Sequence, residues 1–101
     1  MQTAVTKEGA KAHIKLSGRF DFNAHREFRA AYDPLVGDAA VRSVVVDFSG
    51  VDYLDSSALG MLLMLRDKMG GVSKDVALAG VKGNVKQVLD IANFGKLFPI
   101  T

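Results

Sequence analysis

Residues 43–48 limit what this chain can fold into more than any other stretch. They contain Val44-Val45-Val46, an unbroken β-branched run followed by Asp47 and Phe48. β-Branched side chains are stiff in a helix and pack well on a pleated surface. A strand apolar on both faces belongs in the middle of a sheet whose crossovers are helices, as in βαβ units. Ser49-Gly50 is expected to end it.

The flanking segments supply the rest of such a sheet. From residue 10, Ala10, Ala12, Ile14 and Leu16 alternate with Lys11, His13, Lys15 and Ser17. That period of two predicts a half-buried strand closed by Gly18. Residues 2–6 are expected to pair with it through a turn at Glu8-Gly9. The period then changes: Ala24, Phe28, Ala31, Tyr32 and Leu35 fall on one face of a helix. Asn23 is its expected N-cap, and Pro34 and Gly37 mark its end. A second helix is predicted over 58–69, stopped by Gly70-Gly71, then a strand over 75–79. Val85, Val88, Leu89 and Ala92 make a third helical stripe. A short last strand is expected around 97–100, where Pro99 suits a sheet edge. The order β-β-α-β-α-β-α-β predicts an α/β fold, with a mixed, mostly parallel sheet flanked by helices. One domain over residues 1–101 fits this length.

Composition removes several kinds of chemistry. The absence of cysteine excludes disulfides, thiolate metal sites and cysteine nucleophiles. Thirteen Lys and Arg against eleven Asp and Glu are too even to predict direct nucleic-acid binding. No secretory apolar region opens the chain, and the run over 61–65 falls far short of the ~20 residues a membrane span needs. A cytoplasmic protein with no membrane insertion is expected. His13 and His25, the only histidines, lack both metal-ligand spacing and a serine elbow to activate, so no enzyme, cofactor or metal is expected. Asp47 is expected to take turn N–H groups; the acidic pair that a phosphoacceptor aspartate requires is missing from the first strand. Gly80-Val81-Lys82-Gly83-Asn84 opens a helix with a lysine, as a phosphate or nucleotide site would. No aromatic platform accompanies it, and a strand-to-helix glycine turn at Lys82 and Asn84 needs no ligand, so the plain turn is the preferred reading and a nucleotide-binding module the minor one.

The stretch that carries functional meaning is Asp55-Ser56-Ser57 followed by residues 58–65 without one polar side chain. Asp, Ser and Ser are all N-cap types, so the helix starts among them. Its first N–H groups have no partner in the helix and lie at the positive end of the dipole, where a seryl phosphate would be welcome. An apolar helix beyond suits a protein-binding surface. Leu59, Leu62, Leu63 and the stem of Arg66 are expected to face the core. Ala58, Met61, Met64 and Leu65 are expected to face outward.

Residues 44–60, from Val44-Val45-Val46-Asp47 through Asp55-Ser56-Ser57-Ala58-Leu59-Gly60, resemble the signature of STAS domains. Among these the chain is similar to the small bacterial anti-sigma factor antagonists. Gly18-Arg19-Phe20-Asp21 resembles the Gly-Glu-Leu-Asp element that follows the second strand of that family, and the element order agrees along nearly the whole chain. The resemblance implies a phosphorylation site at Ser56, modified by an anti-sigma factor that is itself a serine kinase. It implies that the unphosphorylated form binds that anti-sigma factor and releases the sigma factor, and that a PP2C-type phosphatase resets the switch. It further implies a partner-binding surface including Asp21, Asn23, Asp55 and Ser57, beside Ala58, Met61, Met64 and Leu65. Ala58 stands where many relatives have Gly, and Arg19 where they have Glu. Ala92-Asn93-Phe94-Gly95 departs from the usual Ser-Gly-Leu. The alternative within the same family is a STAS subunit that docks on a membrane transporter or its ATPase without phosphorylation.

Overall fold

The computed structural model describes all residues, Met1–Thr101. Its elements are β1 (Gln2–Glu8), β2 (Lys11–Phe20), α1 (His25–Val36), β3 (Ser43–Leu54), α2 (Ser56–Gly70), β4 (Asp75–Ala79) and α3 (Gly83–Ile91). Short 3₁₀ turns lie at Phe22–Ala24 and Phe94–Lys96. The sheet order is β1-β2-β3-β4, antiparallel between the first two strands and parallel thereafter. Parallel neighbours need crossovers, and α1 and α2 provide them.

This is the expected α/β fold, with three differences of detail. First, only one face of the sheet is buried. Ala12, Val44 and Val76 are register partners, as are Ile14, Val46 and Leu78, and all six are buried. The opposite-facing row of His13, Val45 and Ala77, and that of Lys15, Asp47 and Ala79, contain no buried residue. The valine run therefore reads as a continuous apolar strand although its burial alternates. Second, the glycines expected to end β2 and β3 mark irregularities inside them. The register shifts between Lys15 and Ser17 and again between Gly18 and Arg19, and pairing resumes to Phe20 and Leu54. A Cβ on Gly50 would lie 2.9 Å from the Leu16 carbonyl oxygen, which excludes any larger residue at that close approach. Third, the last strand is a single bridge between Ile100 and Leu78. Asn93 takes a left-handed conformation, the following residues coil into the 3₁₀ turn, and Pro99 has no N–H to extend a ladder. The segment still covers the edge of β4: Leu78 N–H donates to Pro99, and Thr101 N–H donates back to Leu78.

The core is one cluster on the helical side of the sheet. Phe20 packs against Phe28 with ring centroids 4.9 Å apart, and Phe28 meets Tyr32 edge-on at 5.3 Å. Pro34 lies in the last turn of α1, which ends at Val36, and Gly37 follows the helix. A lysine from a distant loop finishes this helix. Lys74 Nζ donates to the carbonyl oxygens of Leu35 at 2.6 Å, Val36 at 3.0 Å and Asp38 at 2.6 Å. The last carbonyls of a helix lack intrahelical donors and carry the negative end of the dipole, so a cation there meets two needs.

Asp47 is satisfied as expected, although in mid-strand. Its Oδ1 accepts the Ser49 N–H at 2.9 Å. Gly80 must be glycine for the same contact, because a Cβ there would lie 2.6 Å from Asp47 Oδ1 and its φ is +67°. Burial pushes the Asp47 carboxyl up, but the Ser49 N–H and hydroxyl, with Lys15 and His13, outweigh burial and hold it below the ordinary carboxylate value.

Two predictions follow from these contacts. Lys74→Met should lower stability by about 2 kcal/mol, read as a shift in urea midpoint at unchanged slope. Asp47 has a depressed folded-state pKa, so its contribution is present above the unfolded value of about 3.9 and is lost as pH falls through the folded value. In urea titrations across pH, Asp47→Asn should be less stable than wild type near neutrality, and the gap should close below about pH 4.

Candidate functional site

The site is assembled by the last rung of β2–β3 pairing. Phe20 and Leu54 are partners, so the residues that follow them, Asp21 and Asp55, leave the sheet side by side. Asp55 N–H donates to the Phe20 carbonyl at 3.3 Å, tying the two exits together. Each aspartate then starts a helical segment. Asp21 Oδ1 accepts the Asn23 N–H at 3.0 Å and caps the 3₁₀ turn. Asn23, expected as the cap of α1, is instead the residue whose N–H is capped. Ala24 precedes α1 without any side-chain cap.

Asp55 is the N-cap of α2, its Oδ1 accepting the Ala58 N–H at 3.0 Å. Ser56 and Ser57 are therefore the first two helical residues, and their N–H groups precede the helical ladder. Ser56 is exposed and Ser57 half-buried. Arg19 lies beside this end of the sheet, its guanidinium 4.0 Å from the centroid of the Tyr53 ring and its Nε 3.6 Å from Asp21.

The helix that follows is turned differently from the expectation. Ala58, Met61, Leu62, Leu65 and Met69 form its buried face. Ala58, Met61 and Leu65 therefore fill the core and are not surface contacts. Of the residues expected outward, Met64 is so, at 41% exposure, and Leu63, expected inward, joins it at 39%. The expected stripe was rotated because almost every position here is apolar, and an all-apolar segment gives no polar face from which to read phase. The i, i+4, i+7, i+11 row of Ala58, Leu62, Leu65 and Met69 was present in the sequence as a signal. Phe22, between Asp21 and Asn23, was missed altogether. It is 72% exposed and borders an open depression of about 530 Å³ with His25, Arg26 and Arg29. A bulky apolar residue inside an otherwise polar turn was its signal.

Lys82, Gly83 and Asn84 lie at the start of α3, exposed, with Asp52 across an open depression of about 450 Å³. No aromatic ring lines it. Neither Asp21 nor Asp55 is among the residues that line it. No helix of the structure is long and apolar enough to cross a membrane.

This geometry can be set beside known proteins. The family model described as "Mlab, STAS domain" matches residues 3–99. The chain belongs to the STAS domain family. A STAS-domain containing protein of Pseudomonas aeruginosa is 46% identical over 94 residues, 93% of this chain and 91% of that protein. The anti-sigma F factor antagonist of Paenibacillus polymyxa is 27% identical over 90 residues, covering 86% of this chain and 74% of its own length. Among solved structures, the Bacillus cell fate determinant SpoIIAA superimposes in both its unphosphorylated and phosphorylated forms. The TM-scores are 0.76 and 0.75 at 20% and 19% identity, over 99% of this chain and 87% and 91% of those chains. At that identity the likeness concerns the STAS fold.

The capping role of Asp55 is separable from any other. Asp55→Ala should destabilise the domain by about 1 kcal/mol, whereas Asp55→Asn should retain nearly all of that, in parallel urea titrations.

Proposed function

We propose that this STAS domain is an anti-sigma factor antagonist, switched by phosphorylation of Ser56. In the unphosphorylated state its surface around Ser56 binds an anti-sigma factor, and the sigma factor is released. The observation that carries this reading is the exposed Ser56 at the start of α2, followed two turns on by exposed Leu63 and Met64 of the same helix. A relative of related sequence bears the name anti-sigma F factor antagonist, and a relative of the same fold exists in a phosphorylated form.

The chemistry asked of this chain is small. A serine kinase, the anti-sigma factor itself, transfers the γ-phosphoryl group of ATP to Ser56 Oγ; the hydroxyl proton is lost and ADP leaves. Water and a PP2C-type phosphatase reverse it, releasing inorganic phosphate. The added group brings about −1.5 to −2 charges. Outside the core it leaves the fold undisturbed, and the free N–H groups and helix dipole favour it. Against an apolar partner surface the same charge costs several kcal/mol of desolvation, enough to dissolve a micromolar complex. Asp21, Asn23, Asp55 and Ser57 adjoin the acceptor in this reading, with Phe22 next to Asp21 and with Leu63 and Met64 two turns further along α2. Ala58, Met61 and Leu65 support them from beneath. The regulatory binding role assigns no reaction to the chain itself.

Ser56→Ala should keep the anti-sigma factor bound and accept no phosphate. Ser56→Asp should weaken binding at least about tenfold. Pull-downs with both variants and phosphopeptide mass spectrometry check this. Label on Ser57 alone would overturn the site, and copurification with a transporter ATPase in place of a kinase would overturn the function.

A further inference from the structure

Gly60 lies inside α2, one turn beyond Ser56, on the solvent side. A Cβ placed there meets nothing within 4 Å, and its φ is not in the left-handed region. Neither packing within the fold nor backbone conformation calls for glycine, while a helix interior favours alanine. The molecule's other glycines lie at bulges, turns or helix ends; this one alone interrupts a regular helix.

Its surroundings point outward as well. With 3.6 residues per turn, Ser56, Gly60, Leu63 and Asp67 form a line opposite the buried face. Both cations of α2 are drawn sideways. Arg66 Nε donates to the Leu97 carbonyl at 3.1 Å, and Lys68 Nζ lies 3.8 Å from Asp33 on α1. Asp67 is exposed and forms no ion pair, so the charge left facing solvent along this line is negative.

We propose that Gly60 is a close-approach point for the protein partner: a helix of the anti-sigma factor crosses α2 over the missing side chain, flanked by Leu63 and Met64, and presents a basic residue to Asp67. The inference rests on the reading that this side of α2 binds a serine-kinase anti-sigma factor, and it adds what shape and charge that partner must offer. Interaxial distance in helix pairs is set by the side chains at the crossing, and glycine permits the shortest. A methyl group at Gly60 would hold the partner off, although it suits the free domain better. Ser56 lies within one turn of the crossing, so a phosphate there would enter an interface with little slack.

The test uses the full chain and, as probe, a purified serine-kinase anti-sigma factor from the same organism, with calorimetric titration and thermal melts. Gly60→Ala should raise the melting temperature by about 4 °C yet weaken binding about tenfold. Gly60→Leu should weaken it further. Gly70→Ala, at the far end of the same helix, should leave affinity unchanged. Asp67→Lys should weaken binding about tenfold. A lower melting temperature for Gly60→Ala would reveal an internal reason for the glycine and overturn the inference. Wild-type affinity in Gly60→Ala, with binding still lost in Ser56→Asp, would overturn the close approach alone. Wild-type affinity in Asp67→Lys would overturn the basic contact. Failure of wild type itself to bind would overturn the functional reading and this inference with it.

Discussion

The parallel pairing of β2 with β3 is the constraint on which everything else depends. It is the longest ladder in the sheet apart from its two irregularities, and those irregularities decide where it ends. Without them, the residues beyond Ser17 and Gly50 would pair in a different register, and Phe20 and Leu54 would not meet as the last rung. With them, pairing reaches Phe20 and Leu54, both buried, and the two polar exits emerge next to each other. Phe20 also packs at a tilt against Phe28 of α1, so the rung that positions the site is anchored in the aromatic core. A loop pair held this way gains its geometry from the scaffold rather than from its own contacts.

The same features explain which parts of the molecule were legible beforehand. β4 was readable to the residue because Asp75–Ala79 is short, alternating and flanked by turn residues. α1 was readable from its apolar face, since Phe28, Ala31, Tyr32 and Leu35 recur at helical spacing with charged Arg29 and Asp33 between them. Glycine misled because one residue serves two purposes: it ends strands, and it lets a strand bulge without ending. Only the partner strand distinguishes the two, and a partner strand is not a local property. The cap of α1 misled for a related reason. Asp21 and Asn23 are both good capping residues, but Asp21 caps the intervening 3₁₀ turn and α1 itself starts without a side-chain cap.

The α2 helix shows where pattern reasoning has least to work on. Its start was readable from Asp55-Ser56-Ser57 and its end from Gly70-Gly71, both matters of local backbone chemistry. Its rotation was not, because apolar residues on both faces leave no polar side from which to read phase. Leu63 and Met64 break the rule that exposed helix positions are polar, and such breaks concentrate at functional sites. The error in phase and the candidate binding surface thus have one origin.

That origin also bears on how a modification at Ser56 can act without rearranging the domain. The serine follows the cap, so Asp55 continues to hold the Ala58 N–H whatever is attached to the neighbouring hydroxyl. No core residue is reached from this position, and the buried face of α2 begins only at Ala58. A phosphate here therefore meets two opposed influences. The helix dipole and free N–H groups attract it, while Asp55 and the nearby Asp21 repel it. In the isolated domain these influences oppose each other. In a complex the balance differs, because burial removes the water that screened the repulsion and strengthens every uncompensated charge. A phosphate placed at this helix start, as proposed for Ser56, would consequently be read by a bound partner rather than by the fold.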